Sequence, residues 1–451
     1  MFKRILIANR GEIALRIIRA CRELGIGSVA VYSEADAESP HLEEADRKVC
    51  VGPARSSESY LNMEAIIQAA EQNECCAIHP GYGFLAENAL FAELCEGAKM
   101  TFIGPTPAAI RAMGDKATAR ESMRAAGLPV IPGSRGSVRG VREGLELAGG
   151  IGYPVLLKAT AGGGGRGMRR VDGEQEFEGK FREASLEAEK AFGNPALYLE
   201  KYIVDGRHIE FQVVADAFGS VVHLGERECS AQRRHQKLVE ESPSPVVDAG
   251  TRQELGAAVC SALAGIGYRN AGTVEFLREG DGKLYFMEVN TRLQVEHPVT
   301  EMVTGRDLVA EQIRVAANEP LSFGQDDVAF EGHAIECRIN AEDPFDDFKP
   351  APGLVGLFEP PGDVPGAEVK VRVDSHVRAG YRIPVFYDSL IAKLIVHGPD
   401  RDAARLGMIA ALEDFGVDGV KTTVPVHLEI MRDGGFAAGQ YDTGFIGRLL
   451  D

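Results

Sequence analysis

The sequence predicts a chain of mixed α/β and α+β class, divided into two or three domains. Three observations lead to this prediction. The N-terminal part alternates strand-like and helix-like segments, which is typical of a parallel sheet covered by helices. A strand then runs directly into four consecutive glycines and a second strand, and from Gly332 onward the chain is rich in Pro, Gly and short strands. A length of 451 residues also exceeds what one hydrophobic core usually spans.

The first domain is predicted over residues 1–114 as a β-α-β alternation. Residues 3–9 are an apolar, strand-like run, and Gly11 to Leu24 carries apolar side chains at helical spacing before Gly25 ends it. The elements predicted after this helix are a strand at 28–32, a helix at 60–72, and strands at 75–79 and 101–103.

The rest of the chain is predicted to hold a central and a C-terminal section. A buried strand at 153–159 leads into the glycines, and further strands are predicted at 208–216, 220–224, 273–277 and 284–290. We predict a third, strand-rich domain from Gly332, closed by helices near 400–413 and 423–432.

Composition excludes several classes of function. The 49 basic and 67 acidic side chains give a formal net charge of −18, which argues against a general nucleic-acid binder. No apolar run is long enough to span a bilayer, and the N-terminal run is too short for a signal peptide. Eight cysteines without a CxxC pair indicate reduced thiols. We therefore expect a cytoplasmic protein that uses neither nucleic acid nor a membrane.

The glycine run is interpreted as a phosphate-binding hairpin. Gly162, Gly164 and Gly167 formally match GxGxxG, but a short strand follows them where a dinucleotide-binding motif needs a helix. Backbone N–H groups of such a loop can cover phosphates and close as a lid. The alternative is a flexible surface hairpin. Ordering four consecutive glycines is entropically costly, which favours the phosphate-binding interpretation.

Two glutamates on neighbouring strands suggest a metal site. An Asp281-Gly282 pair favours a two-residue type I′ loop, and that loop would place Glu275 directly opposite Glu288. Two carboxylates facing each other repel unless a cation lies between them. Asn290 adds an amide oxygen on the same face as Glu288, which completes a set of hard ligands suited to Mg²⁺. The alternative is a solvated face.

The next segment combines the side chains needed to hold and deprotonate a small oxyanion. Arg292 provides a cation, Gln294 a donor and Glu296 a base within a few residues of the proposed metal ligands. A solvated polar loop is the alternative. A basic cluster at 232–237 also stands out in an acidic chain, although such runs are usually solvated faces.

Four segments together resemble biotin carboxylase. These are HPGYGFLAEN at 79–88, KATAGGGGRGM at 158–168, GERECSAQRRHQK at 225–237 and EVNTRLQVEH at 288–297. The resemblance runs through essentially the whole chain. It implies an ATP-grasp fold with an N-terminal Rossmann-like domain at 1–114, an ATP-grasp domain at 115–330 whose glycine-loop lid is near 131–203, and a C-terminal biotin carboxylase domain at 331–451.

The resemblance also implies a reaction and its residues. The family carboxylates biotin on a carrier protein with ATP and bicarbonate, through carboxyphosphate. Glu296 would be the base, assisted by Lys237, Arg292 and Arg338. Bicarbonate and biotin would contact Lys237, Arg292, Gln294, Val295, Arg338 and Tyr82. Mg²⁺ or Mn²⁺, as two ions, would bind Glu275, Glu288 and Asn290. ATP would contact Lys116, Lys158, Gly163, Gly164, Gly165, Met168, Glu200, Lys201, Ile203, His208, Gln232, His235, Glu275 and Glu288.

Two alternative functions fit the sequence less well. A ligase related to carbamoyl phosphate synthesis gives no reason for the Arg338 segment together with the RLQVEH loop. A non-catalytic nucleotide-binding subunit would have lost the base or a metal ligand. The sequence contains no biotin-accepting AMKM segment, so we expect the biotin carboxyl carrier protein and the carboxyltransferase on separate chains. The resemblance suggests a homodimer, and leaves open whether acetyl-CoA, propionyl-CoA or pyruvate is the final acceptor.

Overall fold

A computed structural model describes residues 1–160, 168–363 and 368–450 of the chain. Within these ranges the residues form two compact units. The first comprises Met1–Ala119, Arg207–Glu275 and Glu288–Asp451 without its undescribed residues, and the second comprises Arg120–Gly206 and Phe276–Met287.

The first unit begins with the predicted parallel sheet. Its five strands have the order β3-β2-β1-β4-β5, and all of their pairings are parallel. The elements of this section, up to the helix that begins at Lys116, are β1 (Arg4–Ile7), α1 (Gly11–Glu23), β2 (Gly27–Ser33), α2 (His41–Glu44), β3 (Arg47–Gly52), α3 (Met63–Gln72), β4 (Ala77–His79), α4 (Ala89–Gly97), β5 (Thr101–Phe102), α5 (Pro107–Gly114) and α6 (Lys116–Ala125).

Helix α1 shows why this section folds as predicted. Its apolar positions Ile13, Ile17 and Ile18 are buried against the strand residues Ile5 and Ile7. The helical spacing of these side chains therefore produces one apolar face that packs on the sheet. The β-α-β start is confirmed, with the helix ending one residue before the predicted Leu24.

The second unit contains the predicted strand–glycine–strand segment. Its three strands have the order β7-β6-β8 and are antiparallel. Its elements are α7 (Val141–Ile151), β6 (Val155–Ala159), β7 (Met168–Val171), α8 (Glu174–Phe192) and β8 (Leu197–Lys201). The glycine loop itself, with Gly163, Gly164 and Gly165, lies outside the described residues.

Strands from the central and C-terminal sections share one eight-stranded sheet. Its order is β13-β12-β9-β10-β11-β14-β19-β18. The remaining elements are β9 (Arg207–Ala215), β10 (Val221–Arg233), β11 (Gln236–Ser242), α9 (Ala249–Gly265), β12 (Asn270–Arg278), β13 (Leu284–Asn290), α10 (His297–Thr304), α11 (Leu308–Ala316), β14 (His333–Asn340), β15 (Glu342–Asp343), β16 (Lys349–Pro350), β17 (Leu357–Glu359), β18 (Lys370–Ser375), β19 (Leu390–Gly398), α12 (Arg401–Asp414), β20 (Gly416–Asp418), α13 (Val424–Arg432), α14 (Gly434–Ala437) and α15 (Phe445–Leu450).

The loop between β12 and β13 differs from the prediction. The Glu279 N–H bonds to the Lys283 carbonyl at 2.8 Å and the Gly282 N–H to the Glu279 carbonyl at 2.9 Å, which defines a three-residue loop. Gly282 has φ +96°, whereas Asp281 has a negative φ, so the turn is not type I′. The prediction of a two-residue type I′ loop was therefore wrong. The residue numbers of the pair that closes the loop, Glu279 and Lys283, sum to 562, whereas those of Glu275 and Glu288 sum to 563. The observed loop therefore does not set Glu275 directly opposite Glu288.

A two-residue loop of the primed kind occurs instead between β10 and β11. Arg233 pairs with Gln236, and both residues between them, Arg234 and His235, have positive φ values of 49° and 65°. The extended pairing of these two strands fixes the register and imposes a backbone conformation that neither residue favours. Most of the predicted basic cluster at 232–237 is therefore the end of a hairpin.

Candidate active site

A cluster of one largely buried lysine and three buried carboxylates occupies the first unit. The Lys237 ammonium, on β11, contacts the carboxylates of Glu210 at 2.6 Å and Glu275 at 3.5 Å, and also that of Glu296. These three glutamates come from β9, from β12 and from the residue preceding α10. Lys237 thus gathers three anions from distant parts of the sequence. The pKa of Lys237 is raised because these anions and Cys229 together outweigh the effect of burial.

Behind Lys237, a buried arginine fixes Glu210. Arg227 donates from Nε to Glu210 at 2.6 Å, and its remaining N–H groups bond Gln212, Thr273 and Thr300. Glu210 therefore holds Lys237 with one oxygen and Arg227 with the other. A fully hydrogen-bonded buried network of this kind sets the geometry of its members.

Glu296 stands between two cations. It precedes α10 and is fully buried, and its second oxygen accepts a hydrogen bond from Arg338 Nη2 at 2.9 Å. Burial opposes ionisation of this carboxyl, yet Lys237 and Arg338 outweigh burial and lower its pKa well below the usual range. Glu296 is accordingly an anion at neutral pH, as a group that accepts a proton must be.

Arg338 reaches Glu296 from β14 and is held at both ends. Its Nε donates to Glu240 at 2.6 Å, and its backbone carbonyl accepts from the Thr423 hydroxyl at 2.8 Å. His427 lies 2.7 Å from the same carbonyl. Helix α13 thus fixes the main chain of Arg338 while Glu240 fixes its guanidinium.

The segment after β13 brings its polar side chains to Glu275. Asn290 donates to Glu275 at 2.7 Å and Gln294 donates to it at 3.2 Å. Arg292 donates to the side-chain amide oxygen (Oε1) of Gln294 at 2.8 Å and forms an ion pair with Glu87 at 2.8 Å. Of the predicted oxyanion-binding side chains, Gln294 therefore contacts both Glu275 and Arg292, whereas Glu296 is bonded to Lys237 and Arg338.

The predicted ligands of a divalent cation fit such an ion chemically. Glu275 and Glu288 provide carboxylates and Asn290 an amide oxygen, all hard donors. Glu288 forms an ion pair with Lys116 at 3.1 Å, and both side chains are partly exposed. Rotation of the Asn290 amide would present its oxygen where its nitrogen now faces Glu275.

His208 shares Glu275 with these groups. Its Nε2 lies 3.0 Å from the Glu275 carboxylate. Burial lowers the pKa of His208, but Glu275 outweighs this effect and raises it. Two groups of side chains are each close enough together to bind one metal ion: His208, Glu210 and Glu275, and Glu210, Cys229 and Glu296. The Lys237 ammonium already contacts the glutamates of both, so we assign that position to the lysine.

The second unit holds the other predicted nucleotide residues. Lys158, on β6, pairs with Glu200, on β8, at 2.5 Å, and Arg120 pairs with the same carboxylate at 3.1 Å. Lys201 pairs with Glu279 at 2.6 Å. Met168 begins β7 and is half-buried, and Ile203 is buried.

Tyr82, Val295, Gln232 and His235 are the remaining predicted residues of the first unit. The Tyr82 hydroxyl donates to Glu12, and the Val295 carbonyl accepts from Lys393. Gln232 is buried on β10, whereas His235 is exposed in the turn.

Four charged residues of the cluster were missed by sequence reasoning: Glu210, Arg227, Glu240 and Lys393. A signal for Glu210 existed, because His208, Glu210 and Gln212 alternate with apolar residues and so share one sheet face. Arg227 lies in the segment at 225–237, but no role was predicted for it there, and Glu240 lies outside the four quoted segments. The significance of both residues comes from partners distant in sequence. The cations Lys237, Arg292 and Arg338 are each paired with carboxylates.

Comparison with known protein families gives three matches along the chain. The Biotin carboxylase, N-terminal domain model matches residues 1–110, and the Biotin carboxylase C-terminal domain model matches 336–448. Between them, residues 115–323 match the model named Carbamoyl-phosphate synthase L chain, ATP binding domain.

Individual proteins are similar over nearly their whole length. Biotin carboxylase from Nostoc sp. is 56% identical over 445 residues, covering 99% of this chain and 98% of that protein. Biotin carboxylase 1 from Bacillus subtilis is 54% identical over 447 residues, with the same coverage of both proteins.

Solved structures agree with the sequence matches. The biotin carboxylase–β,γ-ATP complex from Campylobacter jejuni is 49% identical, with a TM-score of 0.93 over 99% of both chains. The biotin carboxylase domain dimer of Hydrogenobacter thermophilus 2-oxoglutarate carboxylase, solved with MgADP, ADP and bicarbonate, is 50% identical. It has a TM-score of 0.92 over 100% of this chain and 99% of its own. The chain therefore belongs to the biotin carboxylase family, the ATP-grasp ligases that carboxylate biotin at the expense of ATP and bicarbonate.

Proposed function

We propose that the cluster around Lys237 activates bicarbonate and that Glu296 is its general base. One observation carries this assignment: Glu296 is fully buried, is ionised by two cations, and is bonded to both Lys237 and Arg338. A carboxylate held ionised between two cations is in the state that a general base requires.

The residues around Glu296 then take consistent roles. Lys237 and Arg292 hold the bicarbonate anion, and Gln294 and the Val295 backbone complete its site. Glu296 accepts the bicarbonate proton as a bicarbonate oxygen attacks the γ-phosphorus of ATP and ADP leaves. The product is carboxyphosphate, a mixed anhydride of carbonic and phosphoric acids. Positioning of the two anions against each other supplies much of the rate.

Carboxyphosphate then breaks down to CO₂ and phosphate, and the phosphate takes the N1′ proton of biotin. Arg338 stabilises the negative charge that develops on the biotin ureido oxygen, and Tyr82 lies near that substrate. Attack of N1′ on CO₂ gives N-carboxybiotin. The guanidinium of Arg338 suits this role, because it remains charged at any accessible pH and is fixed at both ends.

For the nucleotide we propose two groups of residues. Lys116, His208, Gln232 and His235 of the first unit contact ATP, as do Lys158, Met168, Glu200, Lys201, Ile203 and Gly163–Gly165 of the second. Glu275, Glu288 and Asn290 hold Mg²⁺ or Mn²⁺, as two ions. A metal ion held by these residues would neutralise charge on the phosphate oxygens. The donor chemistry of these three side chains supports the metal assignment.

We also propose the division of the chain into 1–114, 115–330 with a lid near 131–203, and 331–451. The limits of the three matching family models support it. A homodimer is supported by the dimer of the Hydrogenobacter domain. The carrier and the carboxyltransferase are proposed to be separate chains, because relatives named simply biotin carboxylase match over 98% of their own length.

The cell compartment is a proposal as well. None of the described helices is long and apolar enough to cross a membrane. All eight cysteines lie in the described ranges as free thiols, which supports a reducing compartment such as the cytoplasm.

The test measures ADP release from ATP and bicarbonate, with and without free biotin. Glu296→Gln keeps the shape of the side chain but removes the base, so bicarbonate-dependent ADP release should fall by about 100-fold or more. ATP binding by calorimetry should persist. Glu254→Gln, at an exposed position on α9, is the matched control. Unchanged turnover in Glu296→Gln would refute the assignment of the base.

A further inference from the structure

Two carboxylates that have no assigned role in the reaction lie opposite each other on neighbouring strands of the eight-stranded sheet. Glu240 on β11 and Glu336 on β14 are direct partners in the antiparallel ladder, and both are fully buried. Cross-strand partners have Cβ atoms roughly 5 Å apart, and two like charges at this spacing destabilise a sheet. Some feature of the site must therefore offset this repulsion.

Three of the four oxygens in this pair have no hydrogen-bond partner among the described residues. They are Glu240 Oε2 and both oxygens of Glu336. The fourth, Glu240 Oε1, accepts from Arg338 Nε at 2.6 Å. Buried carboxylate oxygens are rarely left without a donor. One proton shared by the two groups removes the repulsion and provides a donor at the same time.

The charged groups that face the pair indicate where the proton resides. Arg338 on β14 and Lys237 on β11 favour ionisation of Glu240, whereas Glu296 and burial oppose it, and its pKa is raised to about 7. Burial, Glu240 and Glu296 oppose ionisation of Glu336, whereas Lys393 on β19 and Arg338 favour it; the pKa of Glu336 is raised well above the usual range. Only Glu240 contacts Arg338 directly, so it keeps the charge and Glu336 keeps the proton.

We propose that Glu336 is a neutral carboxylic acid that donates a hydrogen bond to Glu240, and that the pair positions Arg338 for biotin. Arg338 bridges Glu240 and Glu296, with its Nη2 at 2.9 Å from Glu296. When Glu296 accepts a proton during the reaction, Arg338 loses one anionic partner. Glu240 then remains as the anion that holds the guanidinium in place. This inference rests on the proposed roles of Arg338 and Glu296.

Glu336→Gln is the central variant, because an amide has the size of a neutral carboxyl group and can also donate to Glu240. We expect kcat for biotin carboxylation within about threefold of wild type, with the same acid limb in its pH profile. Glu336→Leu removes the donor, so Glu240 should take up a proton at higher pH. The acid limb of the kcat–pH profile of Glu336→Leu should therefore move to higher pH by at least half a pH unit. A merely structural loss would lower kcat without this shift.

Glu240→Gln tests the contact with Arg338. We expect kcat/KM for free biotin to fall by at least about tenfold, and bicarbonate-dependent ADP release without biotin to fall much less. Equal losses in both assays would contradict a role in positioning Arg338.

Infrared spectroscopy tests the proton without reference to activity. In wild-type protein at pH 8 the carbonyl stretching band of a protonated carboxylic acid should be present, and in Glu336→Gln that band should disappear. An unchanged band overturns the proposal, as does a Glu336→Gln variant that loses activity and shifts its pH profile as Glu336→Leu does. If Glu296→Gln retains its turnover, the proposed function fails instead, while the infrared measurement still decides whether the pair shares a proton.

Discussion

Lys393 Nζ donates a hydrogen bond to the Val295 carbonyl at 3.0 Å, across 98 residues of sequence. The lysine is fully buried on β19 and also lies 3.2 Å from Glu12, which in turn accepts from Tyr82. Val295 immediately precedes Glu296. A single buried ammonium therefore ties the loop that carries the proposed base to the strand beside Arg338, since Lys393 and Arg338 are partners in the ladder.

Lys393→Met should loosen this loop. We expect the KM for bicarbonate to rise by about tenfold, and the free energy of unfolding to fall by roughly 3–5 kcal/mol because Glu12 is left as a buried, unpaired charge. Adding Glu12→Gln removes that charge and should restore much of the stability without restoring the bond to Val295. A stable double variant with the wild-type KM for bicarbonate would show that the tie is not needed.

Glu288→Gln should separate binding of the metal from binding of the nucleotide. Loss of one carboxylate ligand is expected to weaken ADP binding in the presence of Mg²⁺ by about tenfold, or roughly 1.4 kcal/mol. Binding without Mg²⁺ should change little, because the amide occupies the same volume. Calorimetric titration of ADP with and without Mg²⁺ measures both. An equal loss in the two titrations would argue that Glu288 contacts the nucleotide and holds no metal.

Acid should destabilise the protein from about pH 6.5 downward. Burial lowers the pKa of six histidines below the ordinary 6.5, to about 4 for His41 and His427 and about 3 for His79; His223, His297 and His376 are the others. The unfolded chain therefore binds these protons more readily than the folded protein does. The contribution of each histidine to the free energy of unfolding is fully present above pH 6.5. It declines by roughly 1.4 kcal/mol per pH unit as the pH falls from 6.5 toward the folded pKa.

Urea unfolding between pH 8 and 5 measures this decline. Neither ring nitrogen of His376 has a hydrogen-bond partner among the described residues, and its ring packs against Tyr381 with centroids 5.3 Å apart. His376→Phe keeps the ring and removes the titration, so it should flatten the slope by the contribution of one histidine. Phe218→Leu, which changes an exposed side chain and removes no titratable group, should leave the slope unchanged. A wild-type stability that is constant down to pH 5 would contradict the prediction.

Local sequence signals predicted the elements whose side chains follow a simple period. The apolar spacing of Ile13, Ile17 and Ile18 predicted α1, and the strands on either side of the glycine run appear as β6 and β7. These predictions succeeded because a helix face or an extended run is encoded within a few neighbouring residues.

The two hairpin loops show where such signals fail. In Gly280-Asp281-Gly282, a glycine is available at both ends, and the chain forms the three-residue loop with positive φ at Gly282 only. Arg234 and His235 adopt positive φ despite having no preference for it, because the long β10–β11 ladder decides the register. In both cases pairing along the strands outweighs the preference of the turn residues.

By itself, the sequence determined the family of this protein and the chemical types of its site residues, since motifs such as EVNTRLQVEH are contiguous. Only the tertiary structure decided which charge faces which. Lys237 meets Glu210 and Glu296, and Arg338 meets Glu240, across 27 to 98 residues of sequence. The physical reason is that ion pairing depends on distance and burial in the folded sheet, and neither quantity is expressed in the local pattern of residues. In this acidic chain the cations Lys237 and Arg338 are therefore each matched by carboxylates.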